Sequence, residues 1–138
     1  MRPLARIGQR LDVLVDGAPA AADATELLAL AEEVLEHWVS AHGDAPTTAQ
    51  REGFRLLALH RQGARDVPSF NACRESCREL VYHYNVLTLQ ADSTDVGLRA
   101  RMMALLANHL YLFVAGKLQI EQLGEFCCAS RPLRTEVG

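Results

Sequence analysis

Residues 69–90 read SFNACRESCRELVYHYNVLTLQ, and this stretch predicts an amphipathic helix. Side chains three and four positions apart lie on the same face of a helix. At that spacing the stretch carries one apolar stripe, made of Phe70, Cys73, Cys77, Leu80, Val81, Tyr84 and Leu87. The two cysteines therefore share a helix face, and it is the face that we expect to be buried.

The rest of the chain shows the same periodicity in segments separated by proline and glycine. None of the five prolines lies inside a periodic segment, as expected for a residue that costs about 3 kcal/mol in a helix interior. Gly43, Gly63 and Gly116 each follow a periodic run and are placed to end a helix. The predicted main helices are 25–42, 48–62, 69–90 and 94–115, with a short helix near 118–126. Residues 1–16 are ambiguous, because Leu4, Ile7, Leu11 and Leu14 have helical spacing whereas Leu11, Val13 and Val15 alternate as in a strand; we favour a short helix.

These helices predict an all-α fold. Short connections favour antiparallel neighbours, hence an up-and-down helical bundle of four main helices plus short terminal helices. The segment 94–115 is apolar over most of its surface, which predicts a helix that is central or lies in a subunit interface. We expect a single helical domain over 1–138, with an N-terminal extension and linker (1–22), a helical core (23–128) and a polar tail (129–138).

The composition is that of an ordinary globular domain, with 138 residues, 49% apolar and 22% charged. A net charge of −3 gives no basic excess for a nucleic-acid partner. No segment approaches the ~18–20 uncharged apolar residues of a membrane span, and polar residues interrupt the N-terminus too often for a signal peptide. We therefore expect a cytoplasmic protein with reduced cysteines and neither a nucleic-acid nor a membrane partner.

The cysteines leave several interpretations open. Cys73 and Cys77 can serve as half of a metal site for zinc or another thiophilic metal, with Cys127 and Cys128 as the other half. They can also form a redox pair. Because free cysteine is among the most buried residue types, we favour core packing and expect no metal and no cofactor.

Cys73, Cys77 and His83 resemble an arrangement in the all-α peroxidase-reductases of the alkylhydroperoxidase D type. Those proteins carry a Cys-x2-Cys pair on a helix, a nearby histidine and an upstream glutamate. Here the spacing is Cys-x3-Cys, and His83 lies six residues beyond Cys77, about 120° away from its face. The resemblance implies a thiol-based activity for the family, which these departures do not allow us to carry across to this chain.

Four histidines fall one to each main helix, at His37, His60, His83 and His109. A bundle can gather one imidazole from each helix around a metal. Each position also has a local interpretation: His37 and His109 lie in apolar company, and His83 follows Glu79 by four residues, as in a surface pair. His60 is placed in the last turn of its helix, where the helix dipole favours a cation.

Hydrolase motifs and glycine-rich phosphate loops are absent from the sequence, so no catalytic residue is assigned. We expect a protein–protein interaction or regulatory module that forms a homodimer through the segment 94–115. The alternative is a thiol-based redox or metal-binding protein that uses Cys73 and Cys77. The acidic face of 25–42 and the arginines of 51–65 can pair with each other or mark a docking surface.

Overall fold

The computed structural model describes residues 2–90, 92 and 94–122. Within these residues the chain forms five α-helices and no β-strand, which confirms the all-α class. The helices are α1 (Leu4–Asp16), α2 (Ala24–Ala41), α3 (Arg55–Ala64), α4 (Arg74–Leu89) and α5 (Val96–Ile120). Short 3-10 segments, Ala21–Asp23 and Pro68–Cys73, precede α2 and α4.

The centre of the bundle is formed by α2 and α5. α5 packs against α1, α2 and α4, and α2 packs in addition against α3. The N-terminal segment is helical, as the sequence predicts, and α1 buries Leu4, Ile7, Leu11 and Leu14 against this centre. The Arg10 guanidinium holds α1 to the start of α2 through a 2.8 Å hydrogen bond to Glu26.

An aromatic stack lies where α2, α3 and α5 meet. The ring of Trp38 is stacked on Phe70 at a centroid distance of 4.3 Å, and Phe113 of α5 lies 5.8 Å from Phe70. The Trp38 indole N–H donates to the carbonyl oxygen of Gly63 at 3.0 Å, so its one polar atom is satisfied in the interior. This stack positions the 3-10 segment before α4, and with it the cysteines.

The ends of the helices depart from the prediction at three places. α3 begins at Arg55, seven residues after the predicted start, because Glu52 and Gly53 have positive φ angles of 53° and 84° that an α-helix cannot contain. The backbone N–H of Thr47, in the non-helical stretch, donates instead to the side chain of Gln62 at 2.8 Å.

The other two corrections concern α4 and α5. Residues 68–73 form a 3-10 segment, so α4 begins only at Arg74. α5 continues through Gly116 to Ile120, so the predicted break at Gly116 is wrong and the start of the predicted helix 118–126 belongs to α5. The rest of that segment, with Cys127 and Cys128, lies outside the described residues.

The predicted pairing of acidic α2 with basic α3 is present in one cluster. The Arg55 guanidinium lies 2.7 Å from the Glu36 carboxylate and 3.8 Å from that of Glu32. Burial raises the pKa of Glu32, while Arg55 opposes that change. The end of α2 also agrees with prediction: Gly43 has a φ of 87°, and the N–H groups of Gly43 and Asp44 donate to the last carbonyls of the helix.

By length and composition alone, α5 is able to span a membrane, with a mean hydropathy of 1.2 over its most apolar stretch. The central helix of a bundle fits the same description, and α5 packs against three other helices. The absence of a membrane partner therefore stays a prediction.

Candidate functional site

The two thiols of residues 73 and 77 lie together in the interior. Cys73 is 2% exposed and Cys77 is 1% exposed, so both belong to the apolar face of α4. Cys73 is the residue immediately before the first turn of α4, and its thiol donates to the carbonyl oxygen of Phe70 at 3.2 Å. The 3-10 segment thus folds back so that its own backbone contacts the thiol.

A histidine from α3 joins the thiols, and sequence reasoning missed it. The ring of His60 is stacked on Phe70 at 5.4 Å, and its Nε2 donates to the Phe70 carbonyl oxygen at 3.1 Å. The Cys73 thiol donates to the same carbonyl oxygen, so His60 and Cys73 meet at Phe70, and His60 contributes to lowering the pKa of Cys73. The signal was present, since His60 follows the buried Leu56 by four residues and therefore lies on the inner face of α3.

The three side chains give the two sulfurs different proton affinities. A hydrogen bond from Cys77, assisted by one from His60, lowers the pKa of Cys73 to about 6 although burial opposes ionisation. The pKa of Cys77 is raised, because its proton is held by Cys73 and because it is buried. Of the two thiols, Cys73 is therefore the one that ionises more readily and Cys77 the one that keeps its proton, which is the order required of a nucleophile and a resolving thiol.

The four histidines that fall one to each predicted helix have four different surroundings. His37 donates to the carbonyl oxygen of Arg2 at 2.7 Å, and His60 lies beside Cys73. His83 is buried, 3.3 Å from the Arg99 guanidinium, which corrects the predicted surface pair with Glu79. His109 is exposed on α5, and its predicted apolar neighbours Leu105 and Leu112 are exposed beside it.

The metal interpretation has no support in the described part of the chain. Among residues 2–90, 92 and 94–122, no three His, Cys, Asp or Glu side chains are placed to hold a metal ion. The proposed ligands Cys127 and Cys128 fall outside these residues, so a site shared with Cys73 and Cys77 stays a hypothesis.

A second candidate site is an apolar stripe on the outer face of α5. Leu98, Met102, Leu105 and Leu112 are 65%, 44%, 45% and 59% exposed. With His109 between the last two, their spacing is 4, 3, 4 and 3 residues, which places all five on one line along the helix. The stripe continues to Ile120, which is also exposed.

In comparisons with known proteins, the chain matches no family model, no curated protein and no solved structure.

Proposed function

We propose that this chain is a protein–protein interaction module that forms a homodimer through the exposed apolar stripe of α5. The observation that carries the proposal is the exposure of four large apolar side chains on one line of α5, the longest helix described. The largest contiguous apolar patch on a protein surface is often a binding surface.

A second copy of the chain is the partner that this spacing fits best. Apolar residues that alternate at intervals of three and four form the seam of paired helices, and an identical helix offers the same spacing in return. No Asp, Glu, Lys or Arg occupies a seam position between Leu98 and Leu112, so bringing two stripes together desolvates no full charge.

The size of the stripe sets the strength expected of the dimer. At ~1.5 Å per residue the stripe is about 33 Å long, and one helix face roughly 10 Å wide therefore offers about 330 Å² per partner. This is less than half of the roughly 800 Å² per partner in a standard interface. Tyr82 of α4 is exposed beside the start of the stripe, where Arg99 lies over its ring, and adds to the surface. We therefore expect a dimer that dissociates on dilution.

Sedimentation equilibrium over a range of protein concentrations tests this proposal. The wild-type chain is expected to show a reversible monomer–dimer equilibrium, and Leu105→Glu to be monomeric, because it places a charge in the middle of the seam. The matched control is Val13→Glu, which adds the same charge at an exposed apolar position of α1 outside the stripe. A wild-type monomer at every concentration, or a Leu105→Glu variant that still dimerises, would overturn the proposal.

A second candidate function rests on a separate observation, the contact of His60 with the Cys73–Cys77 pair. In this function the pair reduces a disulfide. The Cys73 thiolate attacks one sulfur of the substrate RSSR, which forms a mixed disulfide and releases RS⁻. Cys77 then attacks Cys73, which releases the second RS⁻, and the two protons of the original thiols end on the two RSH products. The protein gains one Cys73–Cys77 disulfide in exchange for the one consumed.

A chromogenic aromatic disulfide, used in a background where Cys127 and Cys128 are serine, tests this second function. We expect the native protein to react at Cys73, with a rate that rises with pH through about 6 as the thiolate forms. Cys77→Ser should retain the mixed disulfide on Cys73, whereas Cys73→Ser should not react. If both thiols react only after denaturation, they are core residues, and Cys73→Ala then changes stability alone.

A further inference from the structure

Arginines gather around a cavity that neither proposed function uses. A cavity of about 290 Å³ lies between α3, the Arg51 loop and the first turns of α4. Five of its nine lining residues are arginine, namely Arg51, Arg61, Arg65, Arg74 and Arg78. The whole chain has thirteen arginines and a net charge of −3, so this concentration of positive charge is local.

Most of this charge is not neutralised by the described part of the protein. Arg78 forms a two-pronged pair with Glu52, at 3.1 and 3.2 Å. The side chains of Arg51, Arg61, Arg65 and Arg74 are exposed and form no ion pair with any residue in 2–90, 92 and 94–122, and no Asp or Glu lines the cavity. The charge of Arg74 does act on Glu52, whose pKa it helps to lower. By contrast, Arg55 at the start of α3 is paired with Glu36 of α2. Arg55 therefore holds two helices together, whereas Arg61 of the same helix faces the cavity.

Like charges held around one cavity repel each other, and an anion bound among them removes that repulsion. The guanidinium group donates hydrogen bonds in a planar fork that matches the oxygens of phosphate and carboxylate groups. The remaining polar walls are His60 and the exposed side chain of Asn71. The His60 ring is fixed by its bond to the Phe70 carbonyl oxygen, so the cavity has one rigid wall.

The cavity also limits the kind of anion. No Phe, Tyr or Trp is among its lining residues, and the ring of His60 is buried and stacked on Phe70, so the cavity offers no exposed aromatic face for stacking a nucleobase. Its volume is at the lower end of the roughly 300–1,000 Å³ of small-molecule sites. A carboxylate carries one negative charge, whereas a terminal phosphate group carries about −1.5 to −2 at neutral pH and a phosphate linked on both sides carries about −1. A diphosphate group therefore concentrates about −3 in a small volume, which is closer to the charge of the four arginines than a single phosphate or carboxylate is.

We propose that the cavity lined by Arg51, Arg61, Arg65 and Arg74 binds a small molecule through a diphosphate group. The site is separate from the dimer stripe of α5, and it shares only His60 with the thiol pair. Three of its arginines, Arg51, Arg61 and Arg65, also line a neighbouring cavity beside Thr47 and Gln62. The rest of the ligand, attached to the diphosphate, can extend through this neighbouring cavity into solvent.

Isothermal titration calorimetry with inorganic pyrophosphate, in metal-free buffer, tests the site. We expect saturable binding that weakens as salt is raised and that is about ten-fold or more tighter than binding of orthophosphate, because pyrophosphate engages more of the arginines. Adenosine diphosphate should bind within a few-fold of pyrophosphate, since the cavity has no surface for the base. Citrate, with three carboxylates, should bind less tightly than pyrophosphate.

Substitution of single arginines tests whether pyrophosphate binds in this cavity and not elsewhere on the protein. Arg61→Gln and Arg74→Gln come from opposite walls, and each should weaken pyrophosphate binding about ten-fold or more. Arg101→Gln, which removes an exposed arginine of α5, is the matched control and should bind as the wild type does. Circular dichroism establishes that each variant is folded.

Three results would overturn the proposal: no pyrophosphate binding at millimolar concentration, an equal loss in Arg101→Gln, or citrate binding as tightly as pyrophosphate. The last two indicate general attraction of anions. A much tighter binding of a long polyanion, with no preference for pyrophosphate over orthophosphate, would show that the arginines form part of a macromolecular surface instead.

Discussion

The two faces of α5 differ in the size of their side chains more than in their polarity. The face turned toward the other helices is rich in small residues, with Ala100, Ala104 and Ala107 all buried. The outer face carries larger ones, among them Leu98, Leu105 and Leu112. Small residues let helix backbones approach each other closely, so the central helix of the bundle uses alanine where three neighbours pack against it. Larger apolar side chains occur on both faces, with Met103 and Leu110 buried on the inner one, and those of the outer face form the surface that, in our proposal, a second copy covers.

The largest expected effect comes from shortening one leucine on each face. Leu110→Ala removes a fully buried side chain and should lower the free energy of unfolding by about 2–5 kcal/mol. Leu112→Ala, two residues away on the outer face, should change it by less than about 0.5 kcal/mol in the monomer. Urea unfolding of both variants in a monomeric Leu105→Glu background measures the difference. Equal losses would show that the outer face is also packed within one chain.

A smaller effect is expected when a methyl group is added at two helical glycines. The Cβ of Gly63→Ala would lie 2.7 Å from the Trp38 ring and 3.1 Å from Phe70, so the aromatic stack against the inner side of the bundle must move. We expect the steric overlap to lower the free energy of unfolding by about 1–3 kcal/mol. The higher helix propensity of alanine over glycine offsets ~0.5–1 kcal/mol of that decrease.

Gly116→Ala is the matched control, because the added Cβ meets no atom within 4 Å in the described structure apart from its chain neighbours and the backbone of its own helix. It should raise stability by about 0.5–1 kcal/mol. Thermal unfolding of both variants measures the contrast. A Gly63→Ala variant as stable as Gly116→Ala would mean that the stack shifts at no cost, and that the inner side is less tightly packed than its distances indicate.

The sequence predicts the fold well where a helix has one apolar face. The predicted bounds of α2 agree with the structure to one residue at each end, and the shared buried face of Cys73 and Cys77 follows from their spacing. It predicts poorly where the deciding contact is distant in the chain. The late start of α3 depends on left-handed residues and on the Gln62 side chain, and the meeting of His60 with Cys73 depends on how α3 packs on α4.

The two faces of α5 were beyond sequence reasoning for a different reason. The helix is apolar almost all round, so periodicity does not distinguish its inner face from its outer one. The sequence indicated an excess of apolar surface, and only the positions of α1, α2 and α4 show which residues are left uncovered. The arginine-lined cavity could not be predicted from the sequence either, because its residues lie on a loop and two helices that are distant from one another in the chain.

The smallest expected effect concerns the edge of the inner face, where α5 contributes a charged side chain. Arg99 lies beside the buried His83 of α4, with 3.3 Å between Nη1 and Nδ1, and its other side reaches Asp95 at 3.1 Å. Tyr82 is the ring neighbour of His83 at 5.5 Å. Burial, and secondly the charge of Arg99, lower the pKa of His83, while Glu79 acts in the opposite direction.

A lowered pKa means that the unfolded chain takes up the proton before the folded chain does. The stability contributed by neutral His83 is therefore present above its unfolded value of about 6.5, and it is lost as the pH falls from there toward the lower folded value. Free energies of unfolding measured between pH 8 and pH 5 should decline toward low pH in the wild type and decline less in His83→Gln. Arg99→Gln removes the positive charge that is the second cause of the lowered pKa, so it should also reduce the decline in stability toward low pH. The same variant loses the pair with Asp95, which lowers stability at every pH. If neither variant flattens the profile, His83 is not excluded from water as its position implies. The buried face of α5 would then begin only at Ala100 and would not include Arg99. The difference between a packed inner face and an uncovered outer face would apply only to the part of the helix that follows Ala100.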